Sequence, residues 1–406
     1  MPSAPYPVLS SLAGRRILLG VTGSIALYKT AQWIRDLVRE EARVTVVMTA
    51  AAARFITPLT MAALSGSRVY TDMFDEDPGQ AMAHIDLSRE HDLLLVAPAT
   101  AHTISRLAHG MADDLLSTAV LAAKIPVVVC PAMNSAMFTH PATRENLEQL
   151  RRYGYRVVAP ESGMLACGEE GPGRLPGWDQ VREILLATLS SQDLQGRHVL
   201  VTAGPTREPL DPARYLSNRS SGRMGYALAR VARRRGARVT LVSGPVSLDP
   251  PPGVEVVPVM TARDMRAAVR EHRDQADIII MAAAVADFRP VGCADRKIKK
   301  SRAPDTIALS ENPDILKELG RERRPEQVLV GFAAESHDHE AEGRRKLATK
   351  NLDLICVNDI LGEKTGFDVD TNQVLLIDWQ GQETLPLLSK EETAVRILDR
   401  IRELLP

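Results

Sequence analysis

Three short stretches in the first half of the chain carry side chains that could take part in chemistry. They are His84, the stretch from Pro131 to Phe138 that contains Asn134, and the glycine-rich stretch from Ala166 to Arg174 that contains Cys167. A histidine can accept or orient a proton, an amide can bind a carboxylate, and a thiol can donate a proton. Taken singly, a residue such as His84 is more often structural, and Asn134 is equally typical of a turn and Cys167 of an inert small side chain. We therefore give weight to their joint occurrence.

A second polar group lies in the second half of the chain. Asn218 precedes the turn Ser220-Ser221-Gly222, which is followed by an amphipathic helical pattern. Backbone N–H groups at the beginning of a helix bind phosphate, so this turn is a candidate phosphate site, although a simple helix cap gives the same pattern. Asn218 could hold an acyl or phosphoryl oxygen, or it could stabilise the turn.

Basic residues follow further along the second half. The run from Arg296 to Lys300, which includes Lys297, lies in a segment too irregular for a helix or a strand. Such a run is usually a solvated surface, but mobile lysines can also close over a triphosphate while Mg2+ neutralises the remaining charge. Lys346 and Lys350 are four residues apart on a predicted helix, so both ammonium groups lie on one face.

The elements that must position these residues are apolar strands alternating with amphipathic helices. In the first half the hydrophobic pattern predicts strands over residues 16–21, 43–48, 92–97, 125–130 and 156–159. In the second half it predicts strands over 198–203, 238–243, 277–282, 327–332, 352–357 and 373–379, and a final helix over 390–405. This alternation is typical of parallel sheets covered on both faces, and side chains that follow such strands collect at the carboxyl edge of the sheet. Asn134 and Asp287 are both expected at such an edge.

The same layout occurs twice, which predicts two α/β domains of Rossmann-like architecture. A length of 406 residues agrees with two domains. The polar segment from Ser190 to Gly196 breaks the helix before the second opening strand, so we place the domains at 1–190 and 191–406.

Neither opening turn is a good dinucleotide site. The first has Gly20 and Gly23 without a third glycine, and its second strand ends at Met48-Thr49 without an acid for a ribose. The second copy also lacks the acid, and no Walker P-loop occurs. The turn Thr22-Gly23-Ser24 instead suits a single phosphate, with a plain helix cap as the alternative.

The composition of the chain argues against several classes of protein. A net charge of −1 gives no general attraction to nucleic acid or to anionic membranes, so small molecules are the expected partners. The four cysteines are widely scattered, which argues against a disulfide framework or a Cys-x-x-Cys metal site. No apolar run is long enough to span a membrane and no signal peptide is evident. We expect a cytoplasmic protein without nucleic-acid or membrane partners.

With these residues assembled, the chain from Gly14 to Leu405 resembles the bacterial bifunctional phosphopantothenoylcysteine decarboxylase / phosphopantothenate-cysteine ligase family of coenzyme A biosynthesis. The resemblance rests on His84, the cysteine stretch and these motifs: Gly20-Val-Thr-Gly-Ser-Ile-Ala, Phe55-Ile-Thr-Pro-Leu, Ala97-Pro-Ala-Thr-Ala, Gly110-Met-Ala-Asp-Asp-Leu-Leu, Pro131-Ala-Met-Asn, and the long signature from Thr202 to Gly225.

For the first domain, the resemblance implies a flavodoxin-like, FMN-dependent decarboxylase. Flavin oxidises the thiol of the substrate's cysteine, CO2 leaves, and the enethiol is then reduced. His84 matches the active-site base or orienting residue, Asn134 the carboxylate contact and Cys167 the proton donor. The expected cofactor-binding residues, near the flavin phosphate or bordering its ring system, are Gly23, Ser24, Thr49, Ala99 and Thr100.

For the second domain, the resemblance implies a ligase that activates 4'-phosphopantothenate with CTP and Mg2+ and then couples it to cysteine. Asn218 matches the residue needed to form the acyl-cytidylate, and Lys297 the lysine required afterwards. Metal ligands are not identified. The expected CTP and substrate residues are Ser220, Ser221, Gly222, Ala283, Ala284, Asp287, Lys297, Asn312, Pro313, Asp314, Ile315, Phe332, Lys346 and Lys350.

The product of the second domain, 4'-phosphopantothenoylcysteine, is the implied substrate of the first. The resemblance also implies a homo-oligomer, a dodecamer built from trimeric decarboxylase contacts and dimeric ligase contacts. Two other functions remain open: a flavin-binding regulatory protein, and a flavin decarboxylase that acts on the terminal cysteine of a peptide. The joint presence of His84, Asn134 and Cys167 argues against the first, and the attached ligase half against the second.

Overall fold

The structure is a computed structural model that describes residues 10–74, 83–299, 306–335, 338–359 and 371–406. It divides into two compact units, residues 11–189 and residues 190–406. Each unit is described by itself below. Among the described residues, no helix is both long and apolar enough to cross a membrane.

The first unit is built on a six-stranded sheet in the order β3-β2-β1-β4-β5-β6, in which all neighbouring strands are parallel. An antiparallel hairpin of β7 and β8 follows it. The elements are β1 Arg16–Val21, α1 Leu27–Arg39, β2 Arg43–Met48, α2 Pro58–Ser65, β3 Val69–Tyr70, α3 Ala83–Arg89, β4 Leu93–Ala99, α4 Ala101–Ala108, α5 Leu115–Ala122, β5 Val127–Pro131, α6 Ser135–Thr139, α7 Pro141–Arg152, β6 Arg156–Val157, β7 Glu161–Met164, β8 Glu170–Arg174 and α8 Trp178–Leu189.

The second unit is built on an eight-stranded sheet in the order β13-β12-β9-β14-β17-β18-β20-β21. The strands from β13 to β18 are parallel, and β20 and β21 add to the edge in antiparallel fashion. The elements are β9 His198–Ala203, β10 Arg207–Asp211, β11 Arg214–Ser217, α9 Arg223–Arg234, β12 Arg238–Ser243, β13 Glu255–Pro258, α10 Ala262–His272, β14 Ile278–Met281, β15 Phe288–Pro290, β16 Leu309–Glu311, α11 Ile315–Glu322, β17 Val328–Glu335, α12 His339–Thr349, β18 Leu354–Asp359, β19 Thr371–Asn372, β20 Val374–Asp378, β21 Gln382–Thr384, β22 Leu388–Ser389 and α13 Lys390–Leu404.

Both central sheets are buried on their two faces, as the continuous apolar strands predict. Every residue of β4 and of β9 is buried. In the second unit, Val199 and Val201 pack with α9 and α13 on one face, and Leu200 packs with α10, α11 and α12 on the other. The predicted α/β class with parallel sheets is therefore confirmed.

A fully buried arginine ties α9 to the segment that leads into the second unit. The Arg235 side chain has no exposed surface, and it donates to Asp193 at 2.6 and 2.8 Å and to Asp399 at 2.9 Å. Removing one member of a buried ion pair leaves carboxylates without a counter-charge. Arg235 is therefore a structural cation that holds three elements together.

We expect Arg235→Met to lower the free energy of unfolding of the second unit by about 3 kcal/mol, because Asp193 and Asp399 both lose their fully buried cation. Chemical denaturation followed by circular dichroism measures this change. Arg402→Met is the matched control: Arg402 reaches Asp193 at 3.3 Å from a side chain that is 47% exposed, so its loss should cost less than about 1 kcal/mol. Equal losses for the two variants would contradict the structural role of Arg235.

His91 makes the stability of the first unit depend on pH. Its ring nitrogens contact the Leu87 carbonyl at 2.8 Å and the Thr45 hydroxyl at 2.8 Å. Burial lowers the pKa of His91 below its ordinary value of 6.5 and outweighs the opposing effect of the Leu87 carbonyl. The unfolded chain therefore binds the proton more tightly than the folded chain.

We expect the free energy of unfolding of the first unit to fall as the pH is lowered through about 6.5 towards the lower folded-state pKa, because protonation at His91 favours the unfolded chain. Thermal unfolding between pH 7.5 and 5 measures this slope. His91→Gln removes this titration, so its stability should decline less steeply over the same range. Identical slopes for the two proteins would show that His91 is not responsible.

Candidate active sites

The turn between β1 and α1 is held by hydrogen bonds within the turn and to the end of β4. Within the turn, the Ala26 N–H donates to Ser24 Oγ at 3.3 Å and the Leu27 N–H donates to the Ser24 carbonyl at 3.0 Å. Thr22 Oγ1 donates to the Pro98 carbonyl at 2.6 Å and accepts from the Thr100 N–H at 3.1 Å, which fixes the turn to the end of β4. A Cβ atom at Gly23 would lie only 2.6 Å from Ala51 Cβ, so a larger residue does not fit. The N-cap of α1, Ala26, receives no side-chain cap. An anion such as a phosphate fits this helix beginning.

A cavity of about 610 Å³ opens beside this turn. Four segments line it: the β1–α1 turn, the end of β4, the end of β5 and the β7–β8 hairpin. A cavity of this size accommodates a cofactor together with part of a substrate. The predicted site residues among its lining are Gly23, Ser24, Thr100, Asn134 and Cys167.

Three predicted site residues are not among those lining this cavity. Thr49 lies directly after β2, and its Oγ1 accepts from the Ala52 N–H at 3.2 Å. Ala99 is fully buried at the end of β4. His84 is half-buried at the beginning of α3, directly after residues 75–82, which lie outside the described residues. The roles of these three residues stay predictions.

The stretch containing Cys167 forms the turn and the second strand of an antiparallel hairpin. β7 and β8 pair with Gly163 opposite Gly171, and the register shifts between Glu161 and Ser162. The hairpin is attached to the end of β5 by the Met133 N–H, which donates to the Gly173 carbonyl at 2.9 Å. Gly173 has φ +126°, and a Cβ atom there would overlap the Met133 carbonyl oxygen. This attachment places Cys167 over Asn134.

Asn134, Cys167 and Glu169 meet at the cavity wall. Asn134 Oδ1 accepts from the Ala136 N–H at 2.8 Å, which directs its Nδ2 towards the hairpin. Nδ2 lies 3.4 Å from Cys167 Sγ and donates to Glu169 Oε2 at 2.7 Å. Glu169 was missed in the sequence analysis because an acid in a glycine-rich turn carries no local signal, although it lies within the stretch we singled out.

Two cations also line the cavity. Lys29 extends from α1, and Arg174 lies at the end of β8 with its Nε 3.8 Å from Glu161. Burial and then the charge of Arg174 lower the pKa of Lys29 from its ordinary value. A site with two neighbouring cations favours anionic ligands.

In the second unit, Asn218 meets the loop that follows β14. Asn218 Nδ2 donates to the Val285 carbonyl at 3.0 Å, and Asn312 Nδ2 donates to the Ala286 carbonyl at 2.8 Å. Thr202 Oγ1 and Thr206 Oγ1 accept from the backbone N–H groups of Ala283 and Ala286 at 3.2 and 3.0 Å. The structure therefore brings Asn218, Ala283, Ala284, Asp287 and Asn312 together at the carboxyl edge of the sheet.

The predicted phosphate turn precedes α9. Gly222, the N-cap of α9, has φ +76° and provides no side-chain cap. A Cβ atom at Gly222 would lie 2.7 Å from Val246 Cγ1, so only glycine fits. Ser220 Oγ accepts from the Gly222 N–H at 3.3 Å. The binding of an anion at the beginning of α9 stays a prediction.

The remaining predicted nucleotide residues lie around α11 and α12. Asp314 caps α11 by accepting from the Lys317 N–H at 3.0 Å, and Lys350 Nζ lies 3.0 Å from the same carboxylate. Lys346 lies one turn earlier on α12. The Ile315 side chain is buried in the core, so any ligand contact there must come from its backbone. Pro313 joins Asn312 to this group, and Phe332 lies half-buried in β17.

Lys297 lies on an exposed segment without regular structure, as predicted, and Asp211 anchors that segment. The buried Asp211 carboxylate accepts from the Ile298 N–H at 3.1 Å and from Arg214 Nε and Nη2 at 2.9 and 2.5 Å. Arg214 Nη2 also donates to the Ile298 carbonyl at 2.7 Å. The Arg214 guanidinium holds the pKa of Asp211 well below its usual range. Lys300, the last residue of the basic run, lies outside the described residues.

Metal and thiol chemistry can be judged only on the part of the chain that the structure describes. Within it, no group of three or more His, Cys, Asp or Glu side chains is arranged to hold a metal ion. Cys130 and Cys356 are buried, and burial raises the pKa of both thiols, so they are poor nucleophiles. Cys167 is exposed at the cavity.

Two family profiles cover nearly all of the chain. The flavoprotein profile matches residues 6–190, and the profile of the DNA/pantothenate metabolism flavoprotein C-terminal domain matches residues 194–405. The coenzyme A biosynthesis bifunctional protein CoaBC of Bacillus subtilis (strain 168) is 48% identical over 97% of this chain and 98% of its own length. The protein of the same name from Escherichia coli (strain K12) is 47% identical over 96% of this chain and 97% of its own length.

Among solved structures, the chain is similar to the C-terminal domain of a coenzyme A biosynthesis bifunctional protein CoaBC. The sequence identity is 42%, and the match covers 53% of this chain and 98% of that domain with a TM-score of 0.46.

Proposed function

Because this chain belongs to the family of the bifunctional coenzyme A biosynthesis proteins CoaBC, we propose that it carries out two consecutive reactions of that pathway. The second unit joins cysteine to 4'-phosphopantothenate with CTP, and the first unit decarboxylates the resulting 4'-phosphopantothenoylcysteine to 4'-phosphopantetheine. The observation that carries the proposal is the Asn134 amide 3.4 Å from the Cys167 thiol at the cavity wall, in a chain similar to bifunctional relatives from end to end.

In the first unit, FMN is the proposed cofactor. The beginning of α1 and the cavity beside it fit the flavin phosphate, and Gly23, Ser24 and Thr100 are proposed to hold it. When bound, the flavin supplies reversible two-electron oxidation of the substrate's thiol. The flavoprotein profile supports this choice of cofactor.

The residues of the first unit then bind, orient and protonate the substrate. The Asn134 amide, held by the Ala136 N–H, binds the carboxylate that leaves as CO2. The Cys167 thiol donates the proton that completes the product. Lys29 and Arg174 hold the anionic substrate, and His84 is proposed as a base or orienting residue.

In the second unit, the phosphates of CTP are proposed to lie at the beginning of α9, near Ser220, Ser221 and Gly222. Asn218 lies at the same edge of the sheet, where its amide can orient the activated carboxyl group. Lys297 closes over the developing negative charge. Mg2+ is the proposed counter-ion, coordinated mainly by the triphosphate, as is usual for this ion.

We further propose a cytoplasmic homo-oligomer with trimeric contacts between first units and dimeric contacts between second units. Large apolar side chains stand exposed near the cavity, among them Ile25 at 59% and Tyr28 at 63% exposure. Exposed apolar side chains beside a ligand site are typical of a surface that a second subunit covers.

The proposed function is tested by incubating the purified protein with 4'-phosphopantothenate, cysteine, Mg2+ and either CTP or ATP. Mass spectrometry follows pyrophosphate, CO2 and 4'-phosphopantetheine. We expect all three with CTP and none without phosphopantothenate. Pyrophosphate without CO2 would contradict the decarboxylase assignment, and the absence of all three products would contradict both assignments.

A further inference from the structure

The Glu169 carboxylate already accepts a hydrogen bond from the Asn134 amide, which is proposed to bind the carboxylate of the substrate. Glu169 Oε2 accepts from Asn134 Nδ2 at 2.7 Å and lies 3.7 Å from Cys167 Sγ. The other Nδ2 hydrogen is directed at Cys167, whose Sγ lies 3.4 Å from Nδ2. Asn134 Oδ1 accepts a hydrogen bond from the Ala136 N–H. Both Nδ2 hydrogens of Asn134 therefore have a partner.

A substrate carboxylate cannot simply be added to this arrangement. Two carboxylates on one NH2 group would stand a few ångströms apart and repel each other, while the amide offers no further donor. Glu169 belongs to the exposed turn between β7 and β8, so its side chain can move aside without disturbing the sheet.

We propose that Glu169 is a positioning residue that holds the carboxylate position of the decarboxylase site in the free protein and is displaced by the carboxylate of the substrate. The proposal rests on the decarboxylase activity proposed above. The product has lost its carboxylate as CO2, so Glu169 returns to Asn134 after the reaction. The apparent affinity for carboxylate ligands is thereby reduced to its intrinsic value multiplied by the fraction of molecules in which Glu169 has left the amide.

The test compares two unreactive ligands that differ only in the carboxylate. Phosphopantothenoylserine carries it and phosphopantothenoylethanolamine lacks it, and neither has a thiol to oxidise. Titration calorimetry measures the Kd of each for the full-length flavin-loaded protein without CTP. The variants are Glu169→Gln, which keeps the shape, and Glu169→Ala, which removes the side chain. Glu170→Gln is the matched control, because Glu170 is the next residue of the hairpin and is also exposed.

We expect both Glu169 variants to bind the serine ligand about fivefold more tightly than the wild type. The ethanolamine ligand should be unaffected, and Glu170→Gln should leave both Kd values unchanged. The KM for phosphopantothenoylcysteine should fall by a similar factor in the Glu169 variants, whereas a merely structural role would raise it.

Unchanged or weaker binding of the serine ligand by both Glu169 variants would overturn the proposal. An equal gain in Glu170→Gln would do so as well, because the effect would then be one of general charge. If the wild type releases CO2 and binds the serine ligand, such results contradict only the role of Glu169. A wild type that does neither contradicts the decarboxylase assignment itself.

Discussion

Replacing Gly173 with alanine is expected to reduce CO2 release by about 100-fold, because a displacement of roughly 1 Å in a catalytic group has an effect of this size. The added Cβ atom would overlap the Met133 carbonyl oxygen, and the φ of +126° is one that alanine adopts only with strain. The hairpin must therefore move away from the end of β5, and Cys167 moves with it. Steady-state CO2 release from phosphopantothenoylcysteine measures the loss.

The chain contains two internal controls for this variant. Pyrophosphate release by the second unit should be unchanged, which shows that the protein is folded. Gly66→Ala supplies the matched glycine, because Gly66 has φ +66° at the end of α2 but no atom within 4 Å of an added Cβ. The Gly66→Ala variant tests the effect of backbone strain without a steric clash, and its rate of CO2 release should equal that of the wild type. A Gly173→Ala protein with full CO2 release would mean that the attachment to Met133 does not position Cys167.

Replacing Asp211 with asparagine is expected to slow CTP-dependent ligation by about 100-fold and to leave decarboxylation intact. Asp211 Oδ2 accepts three hydrogen bonds, from Arg214 Nε and Nη2 and from the Ile298 N–H. Asparagine is almost the same shape. Either its NH2 group faces those three donors, or it turns round and faces the N–H groups of Ala213 and Arg214, which bind Oδ1. In the first orientation the segment that carries Lys297 loses its anchor, and in the second the turn that positions Arg214 loses its acceptor.

The step at which the ligase reaction stops distinguishes a displaced Lys297 from a general loss of structure in the second unit. Because Lys297 is proposed to act after the carboxylate is activated, rapid-quench mass spectrometry should detect acyl-cytidylate in the Asp211→Asn protein. Asp295→Asn is the control, since Asp295 is an exposed carboxylate of the same segment. Wild-type ligation rates in Asp211→Asn would show that the anchor has no part in the reaction.

The local hydrophobic pattern of the sequence was sufficient to predict the central strands of both sheets. The strands predicted over residues 16–21, 43–48, 198–203 and 238–243 have those bounds in the structure. They form because their apolar residues are adjacent in sequence and can be buried only between two layers of helices. The short strands β3, β13, β15 and β16 were not predicted, because segments of two to four residues carry no hydrophobic period.

The hairpin of β7 and β8 shows where composition misleads. Glycine disfavours a strand, so the glycine-rich stretch around Cys167 carries no strand pattern in the sequence. In the structure, Gly173 lets the backbone approach Met133, and this contact offsets the poor strand propensity. Gly171 similarly lies against Ser135, whose hydroxyl donates to the Pro172 carbonyl at 2.8 Å.

The α/β class, the main strands of both sheets, the family and the motifs at the strand ends can all be predicted from the sequence, since they depend on residues close together in the chain. Which distant groups meet is visible only in the folded protein. Asn134 contacts Glu169 across 35 residues, and Asp211 reaches Ile298 across 87. Such pairings depend on how separate elements pack, and the identity of a residue and its near neighbours does not specify its distant partner.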